Sequence, residues 1–137
     1  MKTKYFLAIS LILMLFGNSV FAKDDFNSFW KKFKSAVVNG DKNAVAGMTK
    51  FPLSMPYGVK SIKSKAYFLK HYDEIMNHEA NAKRCFKVAK LEKYEKYYEI
   101  GCTFKQNDES SEDRPISYIF EKTKSGWKFV GIDNINE

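Results

Sequence analysis

Arginine is scarce in this chain. Of 23 Lys and Arg residues, only Arg84 and Arg114 are arginines. Nucleic-acid recognition relies on clustered arginine forks, so no nucleic-acid partner is expected. The formal net charge of +7 reads instead as lysine-based solubility, with at most a weak pull toward anionic envelope surfaces. Cysteine is as rare, with Cys85 and Cys102 alone. Neither follows the N-terminal apolar run, which argues against a lipid-anchored protein. Long apolar runs are missing too. The one present, Tyr5 to Phe16 with Ser10 inside it, falls short of the roughly 20 residues that a bilayer span needs. Internal repeats, linkers and a catalytic motif are also lacking.

What stands at the N-terminus has the parts of an export signal. Lys2 and Lys4 supply positive charge, the apolar run follows, and Gly17-Asn18-Ser19 loosens the chain. Val20-Phe21-Ala22 then offers small residues at the positions signal peptidase reads. The expectation is a signal peptide over 1–22, cleaved after Ala22, and a periplasmic or secreted bacterial protein with no membrane span afterwards. The remainder, 23–137, has a net charge of +5 once the two leader lysines are gone. It suits a single domain that buries about two-thirds of its unfolded surface.

The pattern predicts helices first and strands later. Asp24-Asp25 can cap a helix in which Phe26, Phe29, Trp30, Phe33 and Val37 recur at helical spacing. Asn39-Gly40 stops it, and Asp41 caps a short second helix carrying Val45 and Met48. Phe51-Pro52-Leu53, with a second proline at Pro56, reads as an extended, turn-rich connection. Ser64 caps a third helix, Lys65 to about Asn77, with Phe68, Tyr72, Ile75 and Met76 as its buried stripe. Lys83–Leu91 reads as a strand with Phe86 and Val88 on one side, Glu92–Lys96 as a charged turn, and Tyr97–Lys105 as the next strand, with Tyr98, Ile100, Cys102 and Phe104 on one face. Gln106–Arg114 is a polar, acidic loop.

The stretch that organises the rest is Pro115 to Ile132. Ile116, Tyr118 and Phe120 alternate on one side, Thr123-Lys124-Ser125-Gly126 is a turn, and Trp127, Phe129 and Val130 resume the strand. This register sets Phe120 opposite Phe129 and Ile119 opposite Val130. Both faces of the hairpin are then partly apolar, so both should be covered.

Cys85 and Cys102 lie equidistant from a point between Lys93 and Tyr94. A hairpin turning there sets them face to face, at a separation near the short end of disulfide geometry. In an exported chain a bridge is expected.

The succession Val38-Asn39-Gly40-Asp41, Lys50-Phe51-Pro52-Leu53, Ser64 to Ile75, and Ser125-Gly126-Trp127-Lys128-Phe129 resembles the nuclear-transport-factor-2-like superfamily. That group includes ketosteroid-isomerase-like and polyketide-cyclase-like proteins. The resemblance spans about Asp24 to Asn134. It implies an α+β cone, with N-terminal helices packed on a strongly curved antiparallel sheet and a pocket at the open end. It also implies that homodimers form through the sheet. The superfamily's catalytic acids and hydrogen-bond donors cannot be matched residue by residue. Asp73, Glu74 and Asp133 sit at element ends, where exposure is the default.

No catalytic residue, metal or cofactor is therefore assigned. His71, Glu74 and His78 share a helix face if the third helix runs that far, a spacing open to metal binding but commoner on solvated faces. Ser125 to Phe129 fits a loose pattern of host-lysozyme inhibitors, but those are β-rich, and with three helices expected here a plain hairpin turn is the reading preferred. The aromatic residues expected to line a ligand pocket are Trp30, Tyr57, Tyr72, Tyr118 and Trp127. The function read from the sequence is an exported, non-catalytic binding module for a small apolar molecule in the cone or for a protein partner on the sheet. Two alternatives stand beside it. One is an isomerase- or cyclase-like enzyme with an unlocated buried acid. The other is an immunity or inhibitor protein acting on an envelope enzyme through the 107–114 loop.

Overall fold

The computed structural model describes residues 26–55, 61–103 and 114–134. The expected signal segment 1–22, Asp24-Asp25, Tyr57, Phe104 and positions 106–113 lie outside them. The chain begins with α1 (Phe26–Asn39) and α2 (Lys42–Gly47), followed by β1 (Thr49–Ser54) and β2 (Ser61–Ile62). Three short helices follow, α3 (Lys65–Lys70), α4 (Tyr72–Asn77) and α5 (Ala82–Val88). The remaining strands are β3 (Leu91–Lys93), β4 (Tyr97–Cys102), β5 (Ile116–Thr123) and β6 (Gly126–Asp133). They form one sheet in the order β2-β1-β6-β5-β4-β3. The architecture is α+β, helices on a curled, unclosed sheet. Only the β1–β6 pairing is parallel among the described strands.

The helical stripe of α1 decides how the layers meet. Phe33 is fully buried, with its ring centroid 5.1 Å from Phe120 and 5.3 Å from Phe129. Phe26 stacks on Tyr98 at 3.6 Å and meets Trp127 edge-on at 4.9 Å. Trp30 is half-buried between Phe86 and Phe120. Each such side chain contributes about 1.5–3 kcal/mol on leaving water. Gly40 ends α1 at φ 71° and Gly126 closes the β5–β6 turn at φ 96°, backbone conformations open to glycine at no steric cost. Asp41 caps α2 by accepting from Ala44 N at 3.0 Å, and Ser64 caps α3 by accepting from Tyr67 N at 3.2 Å.

Several sequence expectations are corrected. Lys83–Leu91 is not a strand. Asn81 accepts from Arg84 N and starts α5. Ala82, Cys85, Phe86 and Ala89 fall at i, i+3, i+4 and i+7, a helical stripe that the alternate reading of Phe86 with Val88 concealed. Phe86 is fully buried, whereas Val88 is 82% exposed. The disulfide between Cys85 and Cys102 is present, with Cα atoms 5.8 Å apart. It ties α5 to β4 rather than closing a hairpin, so the register argument does not account for it. The third helix breaks at His71 (φ −110°, ψ 21°) into α3 and α4. Phe51-Pro52-Leu53 is not a loose connection but the middle of β1, held beside β6 where Phe129 N donates to Met48 O at 2.9 Å.

In the β5–β6 hairpin Phe120 does face Phe129, but Ile119 faces Gly131, because a bulge shifts the register between them. Among the described residues only one face of the hairpin is fully covered. Ile116, Tyr118 and Phe120 are buried under the helices, while on the other face Ser117 and Ile119 are half-buried and Glu121 is exposed.

Phe33→Ala should cost about 3–5 kcal/mol of unfolding free energy in urea. Val88→Lys should change it by less than about 0.5 kcal/mol. A large loss from Val88→Lys would restore the strand reading of 83–91.

Candidate functional site

Side-chain size changes along the inner face of the central strands. In β5 the sequence runs from Ile116 through Tyr118 to Phe120, and in β6 from Trp127 and Phe129, past the bulge, to Ile132. The Phe120–Trp127 end is filled by α1 aromatics. At the other end the aliphatic residues leave a cavity of about 160 Å³. Ile62, Ile75, Ile116 and Ile132 supply its apolar lining.

The break at His71 sets the polar rim. By restarting the helix there, the chain places His71, Glu74 and His78 on the cavity side of α4. His71 stacks on Tyr67 at 4.2 Å, and its Nδ1 lies 3.0 Å from Glu74 Oε2. The His71 side chain is 29% exposed and that of Glu74 71%. On the opposite side, Asn134 is buried and its Nδ2 donates to Glu79 Oε2 at 2.9 Å. Both residues line the cavity.

Two tyrosines are buried here. Tyr118 lines the cavity and donates through its hydroxyl to Met76 O at 3.3 Å. Burial pushes its pKa well above the ordinary value, with the nearby charge of Glu79 and then Tyr72 adding to the effect. Tyr72 is pushed up to about 12, by burial first and then by Asp73 and Asp41. Its hydroxyl is buried with no hydrogen-bond partner among the described residues. Tyr94, exposed at the β3–β4 turn, is also raised to about 12, chiefly by its hydrogen bond to Glu92.

Of the aromatic residues expected to line the pocket, Tyr118 does so. Tyr72 is buried against Phe68 and is not part of the lining. Trp30 and Trp127 belong to the filled end of the interior, and Tyr57 lies outside the described residues. Tryptophan at helical or strand spacing marked where the interior is packed, not where it is hollow. The sequence reading missed the isoleucine lining, Glu79 and Asn134. The spacing of His71, Glu74 and His78 was the one available signal. Glu74 and His78 are exposed and His71 is half-buried, and all three border the cavity. They do not assemble a metal site, since among the described residues no group of three or more potential ligands is close enough. Ser125 to Phe129 forms the β5–β6 turn and the start of β6.

No family model and no curated protein matches the chain. Several solved structures do. The solved structures similar to this chain are NTF2-like and cystatin-like proteins. One is an NTF2-like protein with a cystatin-like fold from Novosphingobium aromaticivorans, at 13% identity and TM-score 0.43 over 81% of this chain and 79% of that one. Another is a candidate ketosteroid isomerase from Parabacteroides distasonis, at 9% identity and TM-score 0.43 over 87% and 94%. A third is a domain of unknown function with a cystatin-like fold from Nostoc punctiforme, at 13% identity and TM-score 0.41 over 82% and 75%.

The buried tyrosines make stability fall in alkali. A phenol whose folded pKa is raised binds its proton in the native state after the unfolded state has lost it. Its contribution is full below about pH 10 and is lost as pH rises toward 12. Tyr72→Phe should flatten that fall in urea titrations between pH 9 and 11. It should also raise stability at pH 7 by about 1 kcal/mol, because a buried, unpartnered hydroxyl is removed. Tyr118→Phe should lower stability at pH 7 by about 1 kcal/mol through the lost bond to Met76.

Proposed function

We propose that this chain is an exported binding module that holds a small molecule with an apolar body in the cavity between α4 and the open end of the sheet. The observation that carries this reading is the cavity itself, about 160 Å³ with an isoleucine lining and a polar rim. An apolar cavity of about 150 Å³ accommodates a benzene-sized molecule, which sets the scale of the ligand. A few oriented polar groups at the mouth of an otherwise apolar pocket are the usual form of a small-ligand site. Export is supported by the Cys85–Cys102 disulfide, a bond that persists in oxidising compartments. No helix among the described residues is long and apolar enough to cross a membrane. A protein partner on the outer sheet face, including a second copy of the chain, has less support, because Glu99, Ser117 and Glu121 make the centre of that face polar.

A second reading, proton-transfer catalysis, is favoured by one observation. The cavity rim holds a His71–Glu74 pair at 3.0 Å. With Nδ1–H donating to Glu74, the lone pair of His71 sits on Nε2, the arrangement of an oriented general base. Deuterium exchange α to the carbonyl of cyclohexanone, followed by NMR, checks this. Acceleration by the wild type that disappears in His71→Ala supports catalysis, and no acceleration by the wild type ends it.

For the binding reading, Ile132→Trp should fill the cavity and abolish the thermal stabilisation given by small aromatic probes. The protein should stay folded, at a cost of about 1–3 kcal/mol. Probe binding that survives Ile132→Trp would place the ligand elsewhere.

A further inference from the structure

The cavity has a charge bias that the rest of the chain does not share. The chain carries 23 Lys and Arg against 16 Asp and Glu. Yet the described residues around the cavity include the carboxylates of Glu74 and Glu79 and no lysine or arginine. We infer that the ligand is a small organic amine, bound as the ammonium ion, with its apolar body on the isoleucine lining and its charge at Glu79. This rests on the cavity reading above and deepens it.

Glu79 is the better placed of the two carboxylates. It is half-buried, while Glu74 is exposed. Its Oε2 is held by Nδ2 of Asn134, itself only 4% exposed. That bond orients the carboxylate without neutralising it, since Asn134 brings no charge. Hydrogen bonds between an ammonium and a carboxylate are among the stronger polar contacts available to a ligand. Tyr67 and Tyr118 also line the cavity, and an aromatic ring attracts a cation placed over its face. The Glu79 carboxylate also adds to the raised pKa of Tyr118, which lines the same cavity. An anionic ligand would meet two carboxylates, with His71 and His78 but no lysine or arginine among the described lining residues.

Titration calorimetry with benzylamine, benzyl alcohol and benzoate at pH 7 tests this. The three share an aromatic body of the size the cavity admits and differ in charge. Benzylamine should bind about tenfold or more tighter than benzyl alcohol, and benzoate weakest. Glu79→Gln keeps an acceptor for Asn134, so it should fold as the wild type does. It should reduce benzylamine to the affinity of benzyl alcohol and leave benzyl alcohol unchanged. Glu74→Gln, at an exposed position, should have a smaller effect on benzylamine. Equal binding of all three, or tightest binding of benzoate, would overturn the inference and leave the cavity reading standing. Persistence of the benzylamine preference in Glu79→Gln would overturn the assignment of the charge to that residue. Failure of all three to bind the folded wild type would overturn the cavity reading and this inference together.

Discussion

The packing of α1 against β5 and β6 is the constraint on which the other features depend. Phe33, Phe120 and Phe129 are buried without remainder, and Phe26, Trp30, Tyr98 and Trp127 extend the same aromatic layer to one end of the sheet. Large rings on the helix leave no room there for anything else. The hollow therefore lies toward the other end, where β5 and β6 present isoleucine instead of phenylalanine. The bulge between Ile119 and Phe120 marks the change. With Val130 as the extra residue, Ile132 stays on the inner face opposite Tyr118, and Asn134 continues that face to the cavity mouth.

The second constraint is on the helices that roof the hollow end. α3, α4 and α5 are each six or seven residues long, too short to be stable by propensity alone. They are held by what they bury. Phe68, Met76 and Phe86 enter the core, Tyr118 fixes the end of α4 through Met76 O, and the disulfide ties α5 to β4. The loop-entropy model assigns about 3 kcal/mol to a bridge closing a loop of this size. The break at His71 is part of the same economy of short elements, and it turns His71 and Glu74 toward the cavity.

Much of the fold was legible because its signals are local. The α1 stripe, the Asn39-Gly40-Asp41 stop and start, the Ser64 cap and the Thr123–Gly126 turn each rest on a few adjacent residues whose chemistry permits little else. Two elements were misread for physical reasons. The α5 segment is short, and its residues satisfy an alternating pattern as well as a helical one. Only burial of Phe86 with exposure of Val88 separates the two. The parallel pairing of β1 with β6 joins residues about 80 positions apart, and nothing local announces it. The cavity was misplaced because residue type was taken as a sign of lining. Tyr118 lines the cavity, whereas Trp30 and Trp127 fill space, and the smaller residues that leave space carry no signal until their neighbours are known. The cysteine pairing was reached through a hairpin register that does not occur, since β3–β4 pairs Leu91 with Ile100 and Cys85 lies in α5.

The interior is hollow at the isoleucine end and solid at the tryptophan end. Isoleucine-methyl and indole NMR spectra of the folded protein, recorded with and without saturating toluene, test it directly. Shifts are expected at the methyls of Ile116, Ile132 and Ile75, with the indole signals of Trp30 and Trp127 unmoved. Shifts at the two indoles with the isoleucine methyls unchanged would contradict it.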